Sequence, residues 1–107
     1  MLGIYAVMTN LYRVTSNRES GNGRYDIQMK PYDFNLPGIL IELKVPQDKI
    51  PDHAVNATLT KLAEDGLKQI RNKHYIADMQ ADGIKSLIRI GFAFYKKQVR
   101  IKYESDR

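Results

Sequence analysis

Two rhythms of apolar and polar residues run along the chain. The stretch Ile39-Leu40-Ile41-Glu42-Leu43-Lys44-Val45 is short, aliphatic and closed off by Pro37-Gly38 and Pro46, which predicts a buried strand. Side chains alternate along a strand, so Ile39, Ile41, Leu43 and Val45 share one face and Leu40, Glu42 and Lys44 the other. Upstream, residues 11–16 alternate and are rich in Tyr, Val and Thr, predicting a first strand. Residues 24–30 predict a second, with Tyr25, Ile27 and Met29 facing one way and Arg24, Asp26, Gln28 and Lys30 the other. Between them, residues 17–23 hold two glycines able to take positive φ and read as a hairpin turn. A phosphate-cradling loop is disfavoured there, because neither a helix start nor a P-loop lysine follows.

From residue 52 to about 82 the period lengthens. Leu59, Leu62, Ala63, Gly66, Ile70, Ala77 and Ala81 recur at spacings of three and four, predicting one long helix. Asp52 or Asn56 is its expected cap, and Gly83 its C-terminal stop. Gly66 costs about 1 kcal/mol relative to Ala inside a helix, so it marks close packing on the sheet. Residues 86–95 and 98–103 form a last hairpin across Lys96-Lys97, and residues 2–10 form a short first helix. The order is α-β-β-β-α-β-β, an α/β (α+β) arrangement in one domain spanning residues 1–107. Three successive strands with short links predict an antiparallel meander, which brings Asp26 to the face that carries Glu42 and Lys44.

Composition narrows the chemistry. With 107 residues, 43% hydrophobic and 27% charged, the chain suits a single globular core. It has no cysteine, which excludes disulfides, thiolate zinc sites and a cysteine nucleophile. No run reaches membrane-spanning length, and residues 1–8 lack the basic leader of a signal peptide, so the expected setting is the cytoplasm. The net charge of +5 is compatible with a polyanionic partner.

Asp26, Glu42 and Lys44 form the candidate site. Two carboxylates on adjacent strands can share a hard divalent cation, with the main-chain carbonyl of Leu43 as a further oxygen. Lys44 would then orient a metal-bound water and offset charge building on a phosphate. The competing reading is a structural Glu42–Lys44 ion pair. Asp33 is a rival ligand, but Pro31 and Pro37 place it in a loop. Pro51-Asp52 follows the Glu-x-Lys strand and reads as a helix start. His53 and His74 have no second histidine at metal-ligand spacing. Lys96, Lys97, Arg100 and Lys102 read either as phosphate contacts or as charges protecting an edge strand.

Glu19-Ser-Gly-Asn-Gly-Arg24-Tyr-Asp26 followed by Ile39-Leu-Ile-Glu42-Leu-Lys44-Val45 resembles the PD-(D/E)XK nuclease superfamily. The likeness extends to Leu67-Lys-Gln69-Ile-Arg-Asn-Lys73-His-Tyr75 and Ile90-Gly-Phe-Ala-Phe94. It is greatest to the nuclease domain found at the C-terminus of bacterial AAA-ATPase-like proteins. The resemblance implies a restriction-endonuclease-like core, a central mixed sheet flanked by helices. It also implies hydrolysis of DNA with Mg2+ or Mn2+, Asp26 and Glu42 as metal ligands, Lys44 as the catalytic lysine and Gln69 as a helix residue assisting the site. Tyr25 replaces the proline of the name. Lys73 breaks the Gln-x-x-x-Tyr pattern of some relatives, which leaves Tyr75 as a packing residue. Glu19 reads as a further metal ligand or as the partner of Arg24. A homodimer is expected by analogy with members that cut two strands, and an ATPase-like region is an expected partner. The alternatives are a non-cleaving nucleic-acid-binding module and an oligomerisation module, the latter favoured by exposed apolar area on the last hairpin or the long helix.

Overall fold

The computed structural model describes residues 10–19, 24–71 and 75–105, with the side chains of residues 17–19, 24, 25 and 75 left aside. Five strands form one sheet in chain order: β1 (Tyr12–Glu19), β2 (Arg24–Pro31), β3 (Gly38–Lys44), β4 (Leu87–Tyr95) and β5 (Gln98–Ser105). The first three make the expected antiparallel meander, β3 and β4 are parallel, and β4 and β5 close an antiparallel hairpin. A parallel pair needs a crossover, supplied here by helices α1 (Val55–Arg71) and α2 (Tyr75–Ala81). The mixed sheet with its helices is the restriction-endonuclease-like architecture. Among the described residues, no helix is long and apolar enough to cross a membrane.

Several expectations need correction. The first strand runs on through residues 17–19, because their backbones pair in register with residues 24–26, so only residues 20–23 are left for the turn. Those four residues, and residues 2–9 of the expected first helix (2–10), lie outside the described residues, while residue 10 is helical. Neither proposed cap is made. Pro51 precedes a 3-10 turn, Asp52–Ala54, with no side-chain capping bond, and Asn56 already lies inside α1. The long helix is two helices. On one straight helix at about 100° per residue, Met79 would point opposite to Ile70. Yet both bury in one cluster with Leu40, Ile84 and Leu87, so the axis changes direction between them. Ala77 and Ala81, which continue the three-four spacing, are therefore exposed.

Gly83 does end α2. It adopts φ 98, the left-handed region that suits glycine, and its N–H donates to the Gln80 carbonyl at 3.1 Å. The Ile84 N–H donates to the Met79 carbonyl at 3.2 Å, completing a Schellman motif whose two hydrophobic partners share the core cluster.

Helix α1 covers one face of β3, β4 and β5. Gly91 and Ala93 on β4 allow the close approach. A Cβ built on Gly91 would lie 1.9 Å from the Ala63 carbonyl oxygen. Gly66, as anticipated, rests on the sheet, with its Cβ position 3.3 Å from the Glu42 carbonyl oxygen. A second cluster, Ile50, Val55, Leu59, Ala63 and Ala93, fills the space between α1 and the sheet. The opposite face is more apolar and less covered. Ile27, Ile41, Leu43 and Phe92 line a shallow depression of about 160 Å³ there. Beside it, Phe94, Ile101 and Tyr103 are exposed.

Candidate active site

The face beneath α1 carries the charged residues. In register, Asp26 on β2 lies opposite Glu42 on β3, and Glu42 lies opposite Gly91 on β4. Directly opposed residues on one face of an antiparallel pair have Cβ atoms about 4.5–5.5 Å apart, so the two carboxylates are neighbours. Lys44 falls two residues along the same face, opposite Ala93. Burial is deep. Glu42 is 1% exposed, Asp26 3% and Lys44 9%, comparable to the hydrophobic core. Charged side chains are almost never buried to this extent unless they are paired or coordinate an ion.

Asp26, Glu42 and Lys44 are each engaged with neighbours. Even so, the Oδ1 oxygen of Asp26 is buried without a hydrogen-bond partner. An open acceptor on a buried carboxylate, beside a second carboxylate, fits a hard cation. Among the described residues, no group of three or more His, Cys, Asp or Glu side chains gathers within metal-binding reach. Two carboxylates nevertheless match Mg2+, which is commonly held by one or two and retains several waters. The backbone of Leu43 is flanked on both sides, by Tyr25 and Phe92, so ladder hydrogen bonds compete for its carbonyl.

Gln69 is half-buried and engaged. At about 100° per residue it falls on the same side of α1 as Gly66, which touches Glu42, and opposite to Glu64 and Arg71, which reach β5. It therefore lies on the flank of the helix turned toward the carboxylates. The backbone of Glu19 ends β1 opposite Arg24, and neither side chain is among those described. Residues 72–74, including Lys73 and His74, and the Tyr75 side chain are likewise outside the description.

The rival positions fall away from this face. Asp33 sits in the exposed 32–37 loop, where its Oδ1 accepts from the Asn35 N–H at 2.9 Å. His53 is exposed in the 3-10 turn. Arg100 donates to Asn56 Oδ1 at 2.7 Å, and Lys102 lies 3.8 Å from Glu64. Both are thus tied to the far flank of α1.

One charged cluster is not evident from the sequence alone. Glu104 on β5 accepts from Arg71 (2.6 Å) and from Arg89 (2.7 Å). The Arg71 hydrogen bond, reinforced by Arg89, holds its carboxyl down at about 2. The available signal was Arg89 itself, a cation within the apolar run of β4. Likewise Gly91, between Ile90 and Phe92, was the sequence mark of a close backbone approach.

A family model described as the PD-(D/E)XK nuclease superfamily matches residues 1–104. No curated protein and no solved structure matches. The matched region takes in Asp26, the Glu42-x-Lys44 strand and Gln69, and the sheet carries the acidic pair and the lysine on one face. The chain belongs to the PD-(D/E)XK nuclease superfamily.

Proposed function

We propose that this chain is a divalent-metal-dependent nuclease that hydrolyses DNA phosphodiester bonds. The observation that carries the reading is the in-register pair Asp26–Glu42, buried on one sheet face with Lys44 two residues along. Asp26 and Glu42 would hold Mg2+ or Mn2+, with the Leu43 carbonyl and Glu19 as further candidate oxygens. When bound, the metal supplies Lewis acidity and a water of lowered pKa. Lys44 would position the attacking water and offset negative charge on the phosphoryl group, a role suited to a compact ammonium. Gln69 would steady the site from the helix flank. The cysteine-free sequence supports a cytoplasmic setting. An AAA-ATPase-like region would be the chain's partner if the resemblance read from the sequence extends to domains that follow one.

The test is cleavage of labelled duplex, single-stranded and four-way-junction DNA in Mg2+ or Mn2+, beside Lys44→Ala and Asp26→Ala. Cleavage by the parent protein alone is expected. Equal cleavage by the folded variants would refute the assignment of these residues.

A specific observation favours a second reading, assembly of two copies. Phe94, Ile101 and Tyr103 leave apolar area exposed on the β4–β5 hairpin, on the face away from α1. Light scattering across a concentration series tests it, and a monomer throughout would exclude it.

A further inference from the structure

We propose that the β4–β5 turn, Lys96-Lys97, grips the phosphate backbone of the nucleic acid a few nucleotides from the bond that is cut. This rests on the phosphodiester reading of the Asp26–Glu42–Lys44 face.

Four observations converge on the turn. Lys96 is the only non-glycine at positive φ among the described residues, at φ 55. A two-residue hairpin turn normally gives such a position to Gly, which has no Cβ, or to Asn or Asp, whose short polar side chains hydrogen-bond locally there. A lysine held there makes the turn less stable than its simplest alternative, and such strain tends to collect at functional positions.

The lysine is also aimed. Tyr95 shares its face of β4 with Ala93 and Gly91, toward α1, and its hydroxyl accepts from the Ile50 N–H at 3.1 Å. The Lys96 ammonium lies 5.5 Å from the centre of that ring. A cation over a fixed aromatic face is attracted to it, which keeps the charge near the side of the sheet that carries the carboxylates.

The charges are available. Lys96 and Lys97 are exposed, and neither pairs with a carboxylate among the described residues. Lys30 pairs with Asp82, Arg71 and Arg89 with Glu104, and Lys102 with Glu64. The turn lysines share their exposure with Arg13, Lys49, Lys61, Lys68 and Lys85, and differ from these in following directly on the C-terminal end of β4, the strand that borders Lys44.

Distance fits as well. Lys44 lies beside Ala93 in the parallel register, and Lys96 is three residues further along β4. At about 3.3 Å per residue this is roughly 10 Å, or about three phosphates of one strand at 3.4 Å of helix axis each. Arg100 and Lys102 do not extend the track, because both are held at the opposite flank of α1.

The experiment measures anisotropy of a fluorescein-labelled duplex with the full chain in EDTA across a salt series, comparing wild type with Lys96→Gly/Lys97→Ser. The variant should bind about tenfold more weakly at low salt. Its log K against log [salt] slope should be shallower by about two, since each phosphate contact contributes about 0.9. Lys96→Gly alone should fold and melt no lower than wild type, because it removes the unfavourable φ, yet still bind more weakly. Wild-type affinity and slope in the double variant would overturn the inference and leave the nuclease reading standing. Failure of the wild type to bind the duplex, together with no cleavage in Mg2+ or Mn2+, would overturn both. Turn-dependent binding without cleavage in Mg2+ would support the turn and refute the nuclease.

Discussion

Replacing Gly91 with alanine would put a methyl carbon 1.9 Å from the Ala63 carbonyl oxygen and 2.7 Å from the Leu67 nitrogen. Both obstacles are backbone atoms of α1, so no side-chain rotation relieves them. Restoring ordinary contact near 3.5 Å requires the helix to retreat by about 1.5 Å. That retreat opens the packing of Leu59, Ala63 and Ala93, each 0% exposed. Overpacking a core typically costs about 1–3 kcal/mol, and a rigid backbone obstacle belongs at or above the upper end. For a domain whose total stability is about 5–15 kcal/mol, a loss near 3 kcal/mol is severe and lowers the melting temperature by roughly 10–20 °C. Gly66→Ala is the matched control. Its methyl would lie 3.3 Å from the Glu42 carbonyl oxygen, tight by only a few tenths of an ångström, and the helix gains about 1 kcal/mol in propensity. It should stay within about 1 kcal/mol of wild type. Urea unfolding followed by circular dichroism gives both numbers. A Gly91→Ala protein within about 0.5 kcal/mol of wild type at unchanged m-value would refute the seating of α1 on β4.

Two further outcomes follow from the charged residues. Glu104 has its pKa lowered from 4.5 to about 2 by the Arg71 hydrogen bond and by Arg89. A depressed carboxylate adds stability that is complete above its unfolded pKa and is lost as pH falls through the folded one. Urea midpoints should therefore drop between about pH 5 and pH 2 by more in wild type than in Glu104→Gln, and parallel profiles would remove the cluster from the stability account. Separately, Mg2+ or Mn2+ should raise the melting temperature, by the equivalent of about 2.7 kcal/mol at a hundred times Kd, and removal with EDTA should reverse it. Asp26→Asn should abolish that shift, and a shift retained in the variant would move the metal elsewhere.

Much of this arrangement is legible in the chain because punctuation and period agree. Pro37-Gly38 and Pro46 bound β3, short links force the meander, and the meander alone brings Asp26 across from Glu42. What alternation cannot reveal is direction after a break. The three-four spacing continues past Ile70 to Ala77 and Ala81, but the chain bends, and Met79 takes the core position instead. Caps failed for a similar reason: Asn56 is a good capping residue by type, but it sits inside α1 and accepts from Arg100.

Alternation is equally silent about which face of a strand a helix will choose. On β3 the greasier face, Ile39, Ile41 and Leu43, is only half-buried, while the face with Glu42 and Lys44 is sealed. The choice is made one strand away, where Gly91 and Ala93 let the backbone of α1 settle and Gly66 lets it settle directly over Glu42. Small residues, not apolar ones, thus decide where the helix lies. The consequence reaches the chemistry. By settling over β3, α1 removes water from Glu42, and its repulsion with the buried Asp26 opposite strengthens as the surroundings dry. One nearby ammonium, Lys44, offsets a single charge of the two. On the proposed function a hard dication would offset the other and would be bound by Asp26 Oδ1, a buried oxygen that accepts no hydrogen bond. If the proposed metal site is real, the glycines that seat the helix would also tune it, so Gly91→Ala should lower metal affinity even where the protein still folds.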